Sequence, residues 1–179
     1  MPTALLIIDV QQALCSGSNP AFEVDRVIDR INLVSRQARA AGALVVLIQH
    51  ETPGTGEMDF GTGPWELSPA LATGQSDVRL RKTATDSFHR TELQELLQAR
   101  GIDRLVICGL QSDFCVDTTT RRALALGYPV VLVSDAHSTV DNRVLSAVQI
   151  IAHHNETLAA IESFGPRVTA VPAGQVTWP

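Results

Sequence analysis

Residues 106–117 read VICGLQSDFCVD, and the predicted fold is organised around them. It begins as an apolar run typical of a buried strand, breaks at Gly109 and continues into a predicted helix with Cys115 in its first turn. Backbone N–H groups converge at a helix N-terminus and favour negative charge, which lowers the pKa of a thiol there. We therefore expect Cys115 to be a reactive thiol with partners elsewhere in the chain.

Length and composition predict a single domain over residues 1–179, long enough to bury a core. The net charge of -5 disfavours nucleic acid or an anionic membrane surface as the main partner. No apolar run approaches the ~20 residues of a membrane span, and the N-terminus lacks the basic segment of a signal peptide. The sparse cysteines Cys15, Cys108 and Cys115 indicate reduced thiols, so we expect a cytoplasmic protein.

Strands and helices are predicted to alternate along the chain. The short apolar runs predict buried strands at Thr3–Ile8, Leu44–Ile48, Val78–Arg81, Arg104–Cys108, Val130–Val133 and Val168–Val171. Helical spacing predicts helices at Glu23–Ala41, Thr91–Arg100, Cys115–Leu126 and from an N-cap at Asp141 to about Ser163, the last with Val144, Leu145, Val148, Ile151, Leu158 and Ile161 facing inward. The alternation predicts a three-layer α/β fold with a doubly wound parallel six-stranded sheet in the order 3-2-1-4-5-6.

The predicted strand order brings Asp9 close to Cys115. In this order the first and fourth strands are neighbours, their crossovers leave in opposite directions, and a crevice opens beyond their carboxyl ends. Asp9 ends the first strand and can accept the proton that a cysteine nucleophile must lose. Lys82 ends the third strand at the same edge, but two strands away, so its side chain would need a bend in the following loop. The Gly-, Pro- and Thr-rich residues 49–75 predict a long loop that forms a wall or lid.

Three segments spread over the chain resemble the isochorismatase-like cysteine hydrolases, which include nicotinamidases and N-carbamoylsarcosine amidase. They are LLIIDVQ at residues 5–11, RLRKTATDSF at 79–88 and VICGLQSDFCVDTT at 106–119. The resemblance implies the isochorismatase-like hydrolase fold and a catalytic triad of Asp9, Lys82 and Cys115. It further implies a cis peptide between Leu110 and Gln111, an oxyanion hole formed by the N–H groups of Gln111 and Cys115, and a homodimer or larger homo-oligomer.

The function that this resemblance implies is hydrolysis of an amide-type C–N bond in a small molecule through a Cys115 acyl-enzyme. Asp9 would act as general acid and base, with Lys82 supporting it and with no cofactor. Nicotinamidases carry a metal site at an Asp-x-His after the second strand, whereas this chain has Ile48-Gln49-His50-Glu51, so no metal is expected. GLQSDFCVDTT, SDAHST and HHN resemble the streptothricin-hydrolase-like members. The alternatives are isochorismatase-type vinyl-ether hydrolysis, a metal-dependent nicotinamidase, and a non-catalytic member that binds a small molecule.

Other residues have two interpretations each. His50, Phe88, Leu110 and His137 are predicted substrate contacts, although His50 also fits a structural role and Phe88 a place in the core. Asp135 is predicted to support the site from a strand end. His154 and Asn155 either reach the site of a neighbouring subunit or pack within their own chain.

Overall fold

The computed structural model describes residues 1–178, and at its centre six parallel strands are ordered β3-β2-β1-β4-β5-β6. The strands are β1 Thr3–Ile8, β2 Leu44–His50, β3 Val78–Lys82, β4 Arg104–Leu110, β5 Val130–Ser138 and β6 Val168–Val171. From β1 the chain winds outward to β3, returns to pair β4 with β1, and winds outward again to β6. The predicted doubly wound sheet is therefore confirmed, and its switch point lies between β1 and β4.

Helices cover both faces of the sheet. They are α1 Gln12–Cys15, α2 Val24–Ala40, α3 Leu93–Ala99, α4 Asp117–Ala125 and α5 Ala147–Ala159, with a π-helical turn at Ser112–Val116 and a 3-10 turn at Ala173–Gln175. On one face α2 packs Val27, Ile31 and Val34 against the strands. On the other, α3, α4 and α5 pack against a second apolar cluster that also contains Cys115. Among the helices of residues 1–178, none has the length and apolar character needed to cross a bilayer.

The last helix begins later than predicted. Ser146, and not Asp141, is its N-cap: the Ser146 hydroxyl accepts the Gln149 N–H while the Gln149 side chain accepts the Ser146 N–H. This reciprocal pair is a capping box, which satisfies two backbone donors at once. Asp141 still contacts the helix from outside, because its Oδ1 accepts the Ala147 N–H at 2.8 Å.

The later start also changes which side chains face the core. Val144, Leu145 and Val148 were predicted to face inward, but Val144 and Val148 are 84% and 54% exposed and Leu145 is 36% exposed. Residues 139–146 are not helical, so a helical spacing counted from Asp141 has the wrong phase. The side chains that α5 buries are Ala147, Ile150 and Leu158, of which Leu158 was predicted to face inward.

β4 and β5 pair with a shift in register near their carboxyl ends. Ile107 pairs with Leu132 and Gly109 pairs with His137, so two steps along β4 correspond to five along β5. β5 therefore runs to Ser138, beyond the predicted end at Val133. The shift places His137 beside the end of β4, where the chain turns toward Cys115.

Gly109 marks a close approach of β4 to β1. Its φ is +118°, and a Cβ at this position would lie 2.1 Å from the Ile8 carbonyl oxygen. A side chain is excluded here both by the backbone conformation and by the neighbouring strand. The strand break predicted at Gly109 was therefore wrong: β4 continues through Gly109 to Leu110, and Gly109 is the point of closest approach between β1 and β4.

Candidate active site

Three strand ends bring Asp9, Lys82 and Cys115 together. Asp9 directly follows β1, Lys82 is the last residue of β3, and Cys115 lies in the π-helical turn after β4. Lys82 Nζ lies 2.8 Å from Asp9 Oδ2 and 3.2 Å from Cys115 Sγ. All three residues are buried. The lysine makes these contacts from within the strand, so the predicted loop bend is not needed.

The Lys82 ammonium contacts four groups of the cluster. Besides Asp9 and Cys115, it donates to the Ala84 carbonyl oxygen at 3.0 Å and faces His50 Nδ1 at 3.1 Å. An ammonium group has three protons, and here it has four possible acceptors. One acceptor is therefore always without a proton from Lys82, and the cluster has more than one hydrogen-bonding state.

One carboxylate oxygen of Asp9 is left open. Lys82 holds Oδ2, but Oδ1 is buried and has no hydrogen-bond partner among residues 1–178. The Asp9 backbone has a left-handed φ of +51°, which aspartate tolerates better than most residues, and its N–H donates to the Ile48 carbonyl oxygen at 2.9 Å. A buried carboxylate oxygen without a donor is a ready acceptor for a proton.

The environment of Cys115 raises the pKa of its thiol to about 12. Burial contributes most, the Asp9 charge raises the pKa further, and the nearby Lys82 ammonium offsets only part of this. The prediction that a helix N-terminus lowers this pKa was therefore wrong. Cys115 precedes α4, which begins at Asp117 rather than at Cys115 as predicted, and burial of the thiol is the largest cause of the raised pKa. At rest the side chain is a protonated thiol.

The chain between β4 and α4 presents backbone N–H groups beside Cys115. The peptide bond between Leu110 and Gln111 is cis. The Gln111 carbonyl oxygen accepts the Phe114 and Val116 N–H groups at 3.2 and 3.1 Å, which closes the turn at residues 111–115, here called the 111–115 turn. Within residues 1–178, no hydrogen bond joins the Gln111 N–H to another backbone group.

A second polar cluster lies behind the 111–115 turn. Ser112 Oγ lies 2.8 Å from His137 Nδ1, and His137 Nε2 lies 3.0 Å from Asn155 Oδ1. Burial lowers the pKa of His137 to about 4. Both ring nitrogens are engaged inside the protein, so the substrate contact predicted for His137 does not fit its position. Sequence reasoning missed Ser112, and Asn155 packs within its own chain. His154 does so too, through a 2.8 Å contact from Nδ1 to the Ile150 carbonyl oxygen.

The remaining predicted contacts divide between the two faces of the sheet. Phe88 is buried in the same apolar cluster as Cys115 and stacks on Tyr128 with ring centroids 6.3 Å apart. The Leu110 side chain belongs to the cluster on the opposite face, so it cannot line a pocket at Cys115. Cys108 lies in that opposite cluster too, and burial raises its pKa.

Asp135 does not support the triad as predicted. Its Oδ1 accepts the Ala173 N–H at 2.8 Å, and its Oδ2 pairs with Arg30 Nε at 3.2 Å. Arg30 belongs to α2, which packs on the face opposite to Cys115. Asp135 therefore ties α2 and the C-terminal turn to β5.

The donor atoms near Cys115 fit the lysine better than a metal ion. Asp9, His50 and Cys115 each offer a ligand atom, and these atoms lie within 4.8 Å of one another. Lys82 Nζ already lies 2.8, 3.1 and 3.2 Å from one atom of each. The cation that this donor set surrounds is the ammonium group, and burial together with Lys82 lowers the pKa of His50.

The loop between β2 and β3 was predicted to be a wall or lid of the site, but neither Asp9 nor Cys115 borders the groove that it lines, so that role stays a prediction. The groove has a volume of about 520 Å³ and is also lined by Lys82 and the exposed side of β3. Arg81 pairs with Glu51 at 2.9 Å and lies 3.9 Å from the ring centroid of Phe60, which contacts Trp65 edge-on. These contacts fasten the loop to the strand that carries Lys82.

The model of the isochorismatase domain matches residues 3–163. The chain belongs to the isochorismatase family. A crystal structure of an isochorismatase family protein is 36% identical and superposes with a TM-score of 0.86, covering 95% of this chain and 98% of that one. The predicted resemblance to the isochorismatase-like cysteine hydrolases is confirmed.

Two named relatives within the isochorismatase family are hydrolases. Streptothricin hydrolase of Streptomyces noursei is 44% identical over 139 residues, which are 77% of this chain and 50% of that protein. The chain thus spans about half the length of the streptothricin hydrolases that it matches. Ureidoacrylate amidohydrolase of Klebsiella pneumoniae is 28% identical over 170 residues, covering 75% of this chain and 72% of the relative.

Proposed function

We propose that this isochorismatase-family chain is a cysteine hydrolase that cleaves an amide-type C–N bond of a small molecule. The observation that carries the proposal is the open Oδ1 of Asp9, buried in the same cluster as a protonated Cys115 thiol while Lys82 fixes the other carboxylate oxygen. A thiol of raised pKa needs a base in place at the moment of attack, and Asp9 has the oxygen to serve as one.

In the first half of the reaction, Cys115 Sγ bonds to the carbonyl carbon as its proton passes to Asp9. The carbonyl electron pair moves onto the oxygen, where the N–H groups of Gln111 and Cys115 stabilise the negative charge. Asp9 then protonates the leaving nitrogen, the C–N bond breaks and the amine departs. The product of this half is a thioester on Cys115.

In the second half, water attacks the thioester while Asp9 takes one of its protons. The tetrahedral intermediate collapses, the C–S bond breaks, and the departing sulfur receives the proton from Asp9. Lys82 holds the carboxylate in place through both halves and stabilises negative charge as it develops on Cys115 Sγ. The enzyme returns to the thiol and carboxylate with which it began.

Two further side chains are assigned to the substrate side. His50 is half-buried beside Lys82, so its ring can contact a substrate without displacing the triad. Phe88 packs in the cluster that contains Cys115 and is proposed to border the acyl group.

Since Lys82 fills the cation position, the proposed reaction is independent of metal. A homo-oligomer stays a prediction.

The names of two relatives favour amide hydrolysis over cleavage of a vinyl ether. One is an amidohydrolase, and the other is a hydrolase of streptothricin. A member that only binds a small molecule would have no need of a buried lysine, a carboxylate and a thiol in mutual contact. A nicotinamidase would need the Asp-x-His metal site after the second strand, where this chain has Ile48-Gln49-His50-Glu51.

The test is a screen of small carboxamides and ureido compounds for release of ammonia or amine, with mass spectrometry of the trapped protein. We expect an acyl adduct on the peptide that contains Cys115, and we expect Cys115→Ala to abolish turnover without changing the fold. Cys108→Ala is the matched control, because Cys108 is also buried but lies on the opposite face. An active Cys115→Ala protein would refute the proposal.

A further inference from the structure

A chain of hydrogen bonds with a fixed direction runs from Ser134 in β5, through Asn155 of α5 and His137 of β5, to the 111–115 turn. It starts at the Ser134 carbonyl oxygen, which can only accept, so Asn155 must present its Nδ2 to it, at 3.0 Å. The amide oxygen of Asn155 then faces His137 Nε2 at 3.0 Å. Since that oxygen also can only accept, the proton of the imidazole must be on Nε2.

The same reasoning fixes the last hydrogen bond of the chain. Burial keeps His137 neutral by lowering its pKa to about 4, so the ring has one N–H and one lone pair. With the proton on Nε2, the lone pair lies on Nδ1, and the Ser112 hydroxyl must donate to it at 2.8 Å. Ser112 and His137 are 0% and 1% exposed, so neither group exchanges this partner for water.

We propose that His137 is a positioning residue for hydrolysis, which through Ser112 fixes the 111–115 turn and its Gln111 and Cys115 N–H groups. The inference rests on the proposed function, because those N–H groups are assigned to the oxyanion there. Ser112 follows Gln111 directly in the chain. A hydrogen bond that holds the Ser112 hydroxyl therefore also restrains the Gln111 peptide.

A second contact joins the same turn to the same strand end. Thr139 Oγ1, just beyond β5, donates to Asp113 Oδ1 at 2.6 Å. His137 is also the ladder partner of Gly109, two residues before Gln111. The register shift in β5 therefore supplies both attachments, because it brings residues 137–139 alongside the end of β4. The placement of the turn depends on β5 as well as on α4.

The charged or titratable groups near His137 come from four elements: β5, α5, α2 and the 111–115 turn. Asp135 on β5 raises its pKa and His154 on α5 lowers it, while burial outweighs both. On the side of α2, Glu23 and Arg30 line the same cavity as His137, and Arg30 is paired with Asp135. Asp113 is held by Thr139. The wild-type ring is thus neutral near pH 7, with the proton on Nε2 and the lone pair on Nδ1.

The decisive variant is Asn155→Asp, which places a carboxylate against Nε2 and raises the pKa of His137. Below that raised pKa, Nδ1 also has a proton, and Ser112 can no longer donate to it. We expect a new acidic limb in the pH profile of kcat, with kcat about 10- to 100-fold lower at acid pH, recovery at alkaline pH, and a much smaller change in KM. His137→Leu, which removes the acceptor at every pH, should lower kcat across the whole range.

Ser138→Ala is the matched control. Ser138 is fully buried on the same strand, and its hydroxyl donates to the Phe22 carbonyl oxygen, away from the turn. This variant should lose stability but keep kcat within about twofold of the wild type. An equal loss of kcat in Ser138→Ala, or an unchanged kcat profile in both Asn155→Asp and His137→Leu, would overturn the inference.

Nitrogen-15 NMR of the His137 ring gives a readout that does not depend on turnover. We expect the Nε2–H form in the wild type and an imidazolium in Asn155→Asp at acid pH; an Nδ1–H form in the wild type would overturn the inference. A wild-type protein that hydrolyses none of the amides would count against the proposed function instead, and the NMR result would still decide the direction of the chain.

Discussion

Two buried polar clusters lie on either side of the 111–115 turn, and they are built in opposite ways. Around Cys115 the groups are charged, Lys82 faces four acceptors, and Asp9 keeps one oxygen without a partner. Behind the turn, Ser112, His137 and Asn155 form a neutral chain in which every hydrogen bond has one orientation. Unpaired buried groups cost free energy and satisfied ones do not, which agrees with the proposed reaction at the first cluster and the proposed support from the second.

The largest effect is expected from Asp9→Asn, which removes the open oxygen as a base. Hydrolysis should fall by up to about 10⁴-fold, because an amide cannot accept the thiol proton. The pKa of Cys115 should fall at the same time, since the Asp9 charge raises it and the lowering by Lys82 remains. Alkylation of Cys115 by iodoacetamide at pH 7 should therefore be faster in the variant than in the wild type.

The test of the reactive cluster is that Asp9→Asn slows amide hydrolysis but speeds the alkylation of Cys115. Both rates are measured from pH 6 to 10, with Asp135→Asn as the control because Asp135 pairs with Arg30 away from the triad. If Cys115 is alkylated more slowly in Asp9→Asn than in the wild type, or if the variant still hydrolyses the amide, then Asp9 is not the base. The distinction between a reactive and a supporting cluster would then be wrong.

The next effect is expected from Lys82→Met, which keeps the length of the side chain and removes the charge. The variant loses the influence that lowers the pKa of Cys115, so alkylation at pH 7 should become slower, opposite to Asp9→Asn. Hydrolysis should fall about 10²- to 10³-fold with the loss of the group that stabilises the developing thiolate. Asp9 is left buried and unpaired, which should destabilise the fold by about 3–5 kcal/mol near pH 7.

Urea unfolding at pH 7 checks the second half of this prediction. A Lys82→Met protein with wild-type stability at pH 7 would show that the ion pair contributes nothing to the fold.

The reactive cluster is more predictable from sequence than the supporting one. Strand order alone places Asp9 and Cys115 at one switch point, because the ends of β1 and β4 must be adjacent. Lys82 needed the family resemblance, since a side chain that crosses a neighbouring strand to reach its partner leaves no local pattern. The direction of the pKa shift at Cys115 was missed because it depends on burial and on Asp9, which the local helix pattern does not contain.

The supporting cluster depends on the register shift between β4 and β5, which no local sequence pattern predicts. His137 faces Ser112 because β5 takes five steps where β4 takes two. The start of α5, in contrast, could have been found: SAVQ at residues 146–149 has the spacing of a capping box, and it competes with Asp141 as a start signal.

The smallest effect is expected where a neutral, satisfied contact lies next to the reactive cluster. The loop after Lys82 is joined to α4 by Ser87 and Thr119, whose hydroxyl oxygens are 2.8 Å apart and fully buried. Ser87→Ala removes one hydroxyl, while Thr119 keeps its contacts with the Ser87 N–H and the Thr85 carbonyl oxygen. We expect a loss of about 1 kcal/mol in the free energy of unfolding and a kcat within about twofold of the wild type.

Urea unfolding and steady-state kinetics on one preparation separate these two quantities, and Thr157→Ala, at an exposed hydroxyl, should change neither. If Ser87→Ala instead lowers kcat tenfold for the same small loss of stability, then the loop contact shapes the reactive cluster. Support would then come from both flanks of the site, from α4 through Ser87 as well as from β5 through His137. The reactive cluster would then have two supporting networks, one on each side, and not the single network described above.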